Sequence, residues 1–158
     1  MTESIGAKAD LIPYASDYAR TVRTWIDCEE TFKNVCRGTE FPPPEDIVDS
    51  WQREGVTPFL LFAQRKPVAY AELWSRPMDM AVEIAHLLVD PSHRCKGYGT
   101  KMLELMFQRG AQRDSVLKVL ISLYGESTVA LGCFLKAGFE LMGTATYTTG
   151  LKLVRLVE

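Results

Sequence analysis

Long apolar runs are missing from this sequence: none approaches the roughly 18 residues that a membrane-crossing helix needs. Nor do the first residues, MTESIGAKADLIPY, set a basic segment before an apolar one as a secretory signal does, so a cytoplasmic location is expected. Cysteine is scarce. The four present, Cys28, Cys36, Cys95 and Cys133, show neither C-x-x-C spacing nor an accompanying histidine pair, which favours free thiols over disulfides and leaves no metal site expected. An excess of positive charge is also lacking. The formal net charge is −2, which argues against a general nucleic-acid binder, and no membrane partner is expected either. No repeat, low-complexity tract or linker divides the chain. Its 158 residues, 47% hydrophobic and 24% charged, are expected to form one domain over 1–158 with a substantial core.

What the chain does have is an uneven spread of charge. Eight carboxylates (Asp27, Glu29, Glu30, Glu40, Glu45, Asp46, Asp49, Glu54) face Lys33, Arg37 and Arg53 in one stretch. Six cations (Arg94, Lys96, Lys101, Arg109, Arg113, Lys118) face Glu104 and Asp114 in another. Solvated helix faces segregate in this way by chance. The alternative is a molecule with one anionic and one cationic partner.

Apolar periodicity divides the chain into elements. A short strand is expected over 9–14. Helical spacing over 16–37 sets Tyr18, Val22, Trp25 and Ile26 on one side, with Phe32 and Val35 in a second piece. FPPPE at 41–45 stops any helix, because proline lacks the N–H and clashes with the preceding turn. A short helix over 46–54 follows. TPFLLFAQ and PVAYAELW, flanking RKP, read as a β-hairpin, with MAVEIAHLLVD as a third strand of the same block. Residues 97–112 place Met102, Leu103, Met106 and Phe107 on one helical face. VLKVLISLY is apolar enough for a strand covered on both faces. STVALGCFLKAGF reads as a helix ending at Gly138, and FELMGTATYT and LKLVRLV as two closing strands. The class is α/β.

Two glycines stand where the 97–112 helix begins, in HRCKGYGTKM, residues 93–102. Glycine inside a helix costs roughly 0.5–1 kcal/mol relative to alanine, so the pair marks either a flexible turn or a backbone that closely approaches something, typically an anion. A Walker loop is absent, and the dinucleotide fingerprint fails because Met102 occupies its third glycine position. The pattern that fits is R-x-x-G-x-G (Arg94, Gly97, Gly99) after the strand EIAHLLVDP, followed by a strand and a helix closing on A-G-F. In this order the chain, from Pro58 onward, resembles the GNAT superfamily of acyl-coenzyme A-dependent N-acyltransferases.

The resemblance implies a mixed, mostly antiparallel sheet of about six to seven strands flanked by about four helices. It implies acetyl-CoA as cosubstrate. The amides of Cys95, Lys96, Gly97, Tyr98, Gly99 and Thr100 would hold its pyrophosphate beside Arg94, at a helix start where unpaired N–H groups favour negative charge. Lys96 and Lys101 would screen charge there or are plain surface lysines. The strand edge Leu87, Leu88 and Val89 would pair with the pantetheine arm. The implied reaction is direct attack of a primary amine on the acetyl thioester in a ternary complex. An alkyl ammonium near pKa ~10.4 must first lose a proton, at roughly 4–5 kcal/mol near neutrality unless a base helps. Glu83, eleven residues before Arg94, stands at the spacing of the family's base glutamate. His86 is its rival, poised near neutrality, and Glu72 is a third carboxylate that could anchor the substrate's ammonium. The family's thiolate-protonating tyrosine falls on Phe134, which has no proton to donate; Tyr124 could replace it. A cofactor-contacting asparagine falls on Ser127, equally a helix N-cap. The acceptor implied is a small-molecule or peptide amine, cationic if the acidic 27–54 segment covers its groove; a homodimer is compatible with all of this. The Phe134 departure supports the alternative of a non-catalytic acyl-CoA-binding regulatory domain.

Overall fold

The computed structural model describes residues 9–125, 127–143 and 150–158. Among them seven strands form one sheet in the order β1-β2-β3-β4-β5-β7-β6. These are β1 (Ala9–Pro13), β2 (Val56–Ala63), β3 (Lys66–Arg76), β4 (Ala81–Val89), β5 (Lys118–Leu123), β6 (Glu140–Leu141) and β7 (Leu151–Leu156). The described α-helices are α1 (Ala19–Thr24), α2 (Glu29–Cys36), α3 (Ile47–Ser50), α4 (Tyr98–Ala111) and α5 (Thr128–Lys136). All strand pairs are antiparallel except β4 with β5. The mixed, mostly antiparallel α/β sheet expected from the sequence is therefore the one observed. The helices number five among the described residues, because the 16–37 segment breaks after Thr24 and resumes at Glu29.

Period-two alternation creates two apolar layers. Phe59, Leu61, Ala69, Ala71, Leu73, Val82 and Ile84 face the side covered by α4 and α5. There Met102, Leu103 and Met106 of α4 are wholly buried, each burial favourable by about 1.5–3 kcal/mol. Leu60, Tyr70 and Leu88 face the other side, under Val22, Trp25, Ile26, Phe32, Val48 and Trp51 of the α1–α3 region.

Three details depart from the sequence reading. The hairpin turns on Gln64 and Arg65, both at positive φ (53° and 66°), so Lys66 already pairs with Ala63 and RKP is not the turn. Positive φ at both central positions suits the right-handed twist of the strands, here without glycine. The strand expected over 139–148 is β6 at Glu140–Leu141, and positions 144–149 lie outside the described residues. Finally, β4 bulges. Glu72 pairs with Ala85 and Tyr70 with Leu88, so His86 and Leu87 together face Ala71, and His86 takes φ 51°. Strict alternation would send His86 the way of Val82 and Ile84, towards α4. The extra residue turns it to the α1–α3 side and brings Leu88 there as well.

Candidate active site

Strands β4 and β5 pair only from Ala81–Ile84 to Lys118–Ile121. Beyond these residues they part, and the free edge of β4 from Ala85 to Val89 borders a groove of about 920 Å³. At one end lies the start of α4. Gly97 is its N-cap at φ 88°, a left-handed conformation that glycine adopts without strain. Lys101 N–H bonds Gly97 O at 3.0 Å, the first bond of the helix, which leaves the Tyr98, Gly99 and Thr100 amides free of intrahelical partners. Gly99 is not demanded by packing: a Cβ there would meet only Val89 Cγ2, at an ordinary 3.7 Å.

The side chains around that loop do other work. Arg94 donates from Nη1 to both Asp27 oxygens (3.2 and 3.1 Å), from Nη2 to Trp25 O (3.0 Å) and from Nε to Val89 O (3.2 Å). It clamps the loop to the α1–α2 link. Thr100 Oγ1 meets Cys133 Sγ at 3.1 Å, tying α4 to α5, and Tyr98 packs its ring on His93. Cys95 and Lys96 are exposed. Ser127 lines the groove as the N-cap of α5, its Oγ accepting from Ala130 N–H at 3.1 Å. The helix ends in a glycine cap: Gly138, at φ 91°, bonds Leu135 O and Phe139 N–H bonds Phe134 O. This fixes the Phe134 ring, 7% exposed, in the groove wall. Tyr124 lines the same wall beneath the Arg37 guanidinium, 4.5 Å from its ring centre.

At the other end the titratable side chains gather. Tyr70, Glu72 and Trp74 stand two apart on β3 and so share one face. Glu72, fully buried, accepts from Tyr70 Oη, from Trp74 Nε1 at 2.7 Å, and meets His86 Nδ1 at 2.9 Å. Burial and the Glu72 charge push the Tyr70 phenol upward, so it stays a donor. Gln52 Nε2 donates to Tyr70 Oη at 3.0 Å and completes the chain of bonds. The His86 ring stacks on Trp51 (4.1 Å, 24°) and stands edge-on to Trp74 (5.4 Å). Glu83 lines the groove beside it, Oε1 accepting from Arg76 Nη2 at 3.0 Å and Nε at 3.2 Å. Of the eight carboxylates in the 27–54 stretch only Glu30 lines the groove, among Arg37, Arg53 and Arg76.

The structure thus brings Glu83, His86 and Glu72 together, with Tyr124 and Ser127 on the facing wall. Trp51, Tyr70, Trp74 and Arg76 were not anticipated. A carboxylate flanked by aromatics at i−2 and i+2 within the apolar strand PVAYAELW was the available signal.

The acetyltransferase (GNAT) family model matches residues 20–139. The chain belongs to this family. An acetyltransferase from Thermus thermophilus is 26% identical, with a TM-score of 0.73 over 94% of this GNAT chain and 97% of that one. A spermidine N-acetyltransferase from Vibrio cholerae, solved with CoA and spermine, shares the fold at a TM-score of 0.79 and 13% identity over 96% of both. Aminoglycoside N(6′)-acetyltransferases type 1 of Klebsiella pneumoniae and Serratia marcescens are each 29% identical over 109 residues, 62% of this chain. The chain matches 54% of the length of those curated relatives.

Proposed function

We propose that this GNAT chain is an N-acetyltransferase that moves the acetyl group of acetyl-CoA to a primary amine by direct attack in a ternary complex. The observation that carries the reading is the cleft itself. An open strand edge runs from an amide cradle at the start of α4 to a cluster of titratable groups on β3 and β4. The Tyr98–Thr100 amides would take the pyrophosphate, favoured by the positive end of α4. Packing does not require Gly99, so the close approach of a ligand to these amides accounts for it. The β4 edge at Leu87–Val89 would pair with the amide-bearing pantetheine arm. The acceptor enters as an ammonium, attracted by Glu83 and Glu30 at the groove wall. The relatives named for aminoglycosides and spermidine make polyamines and amino sugars the first acceptors to try, with peptides beside them. Among the described residues no helix is long and apolar enough to cross a membrane, and a cytoplasmic setting for the reaction is part of this reading. With Phe134 in the groove wall, the departing thiolate takes its proton from Tyr124 or from solvent.

The test is thiol release from acetyl-CoA with a panel of primary amines. Amine-dependent release is the expected outcome. Tight acetyl-CoA binding with no release for any amine would contradict the reading and favour a non-catalytic acyl-CoA-binding domain.

A further inference from the structure

Of the two candidate bases on β4, Glu83 and His86, the surroundings differ in kind. Both bonds that Glu83 makes to Arg76 land on Oε1, so this carboxylate already serves a guanidinium at the groove wall. His86 is held on four sides. The bulge at φ 51° aims it, Trp51 covers one face, Trp74 meets it edge-on, and Glu72 takes Nδ1. Among the described residues nothing bonds Nε2, and the ring lines the groove.

Resting on the acetyltransferase reading, we infer that His86 and Glu72 form a dyad in which Nε2 of His86 deprotonates the acceptor ammonium and buried Glu72 is the positioning residue that fixes its tautomer. A carboxylate only accepts, so the bond at 2.9 Å places the imidazole proton on Nδ1. The lone pair of Nε2 then faces the groove. Tyr70 and Trp74 both donate to Glu72 and keep it from rotating away. One ammonium proton passes to Nε2. The freed nitrogen forms a bond to the acetyl carbon, and the carbon–sulfur bond breaks with its electron pair on sulfur. The thiolate takes a proton from Tyr124 or from solvent, and the nitrogen's second proton is lost to solvent. The imidazolium returns its proton to solvent. The charged and titratable groups around the ring are Glu72, Tyr70 and Arg76 from β3, Glu83 from β4, Cys36 from α2, and Arg53 after α3, whose guanidinium lies 4.8 Å from the Trp74 ring centre. Among the described residues Glu72 alone bonds the ring, and the Cys36 thiol stays neutral.

The chain contains 2 histidines, so long-range proton–nitrogen spectra of the nitrogen-15-labelled protein resolve His86 from His93 by comparison with His86→Gln. The expected wild-type signal is a neutral ring protonated on Nδ1. In Glu72→Leu the Nδ1 proton loses its acceptor, so nothing fixes the tautomer with Nε2 free, and kcat should fall about 10²–10⁴-fold. His86→Gln should fall equally, the double variant no further, while acetyl-CoA affinity by calorimetry stays within about threefold and shows each variant folded. Glu83→Gln should retain the falling acid limb of the kcat profile. An Nε2-protonated wild-type ring, or a Glu72→Leu variant with full turnover, overturns the dyad. Failure of the wild type to acetylate any amine overturns the acetyltransferase reading instead and leaves the tautomer result standing on its own.

Discussion

Glycine at position 99 and cysteine at position 36 show how single residues separate fold from function. The Gly99 site accepts a methyl group against Val89 at 3.7 Å. Gly99→Ala should therefore hold or raise the melting temperature, since alanine favours a helix by roughly 0.5–1 kcal/mol. The same methyl should weaken acetyl-CoA binding at least about tenfold by calorimetry if phosphate oxygens approach these amides. Unchanged affinity would move the phosphate site elsewhere. Burial, with the Glu72 charge behind it, pushes the Cys36 thiol up to about 12. At pH 8 such a thiol is almost wholly protonated, and the thiolate is the reactive form. A disulfide reagent should label exposed Cys28 and Cys95 quickly and half-buried Cys36 much more slowly, as mass spectrometry of peptides would report. Residue types at the site were legible: Glu83, His86, Ser127 and Tyr124 all line the groove. Their partners were not. Spacing along β4 does not reveal that Arg76 reaches Glu83, nor that Arg94 is committed to Asp27 and two backbone carbonyls.

Among the elements, α4 and β5 were readable because their apolar periods are unbroken, and α5 because Gly138 marks its end. The bulge in β4 escaped for a physical reason. It places a non-glycine residue at positive φ, which no local propensity announces; the tertiary cluster of Trp51, Trp74 and Glu72 holds it. The β2–β3 turn escaped likewise, since Gln64 and Arg65 are not residues that favour it. Left-handed backbone costs a side-chain-bearing residue about 1–2 kcal/mol relative to glycine, partly offset by the greater freedom glycine has when unfolded. Arg65→Gly should accordingly stabilise the hairpin by about 0.5–1 kcal/mol, visible as a higher urea midpoint at unchanged slope. A lower midpoint would mean that the arginine makes a contact worth more than the strain.

At the scale of the molecule, long-range polar contacts as well as packing join the sheet to the helices α4 and α5. Arg155 of β7 donates to Glu104 of α4 at 2.7 Å and to Ala137 O at 3.0 Å, and its guanidinium covers the Phe107 ring. The Arg155 hydrogen bond holds the Glu104 carboxyl below the usual glutamate range. A lowered folded-state value means the contribution is present above the unfolded value and is lost as pH falls through the folded one. Solvent screens the pair, so Glu104→Gln should cost no more than about 1 kcal/mol at neutral pH and nothing once the wild-type carboxyl is protonated. Chemical denaturation at the two pH values checks this. The edge of β4 leads from the titratable cluster towards the amides at the start of α4, and this continuity makes direct transfer the central claim. Initial rates measured with acetyl-CoA and an active amine varied against each other test it most directly. Intersecting double-reciprocal lines, with the acetyl group found on the amine by mass spectrometry, are the predicted result. Parallel lines with an acetylated protein residue would contradict it.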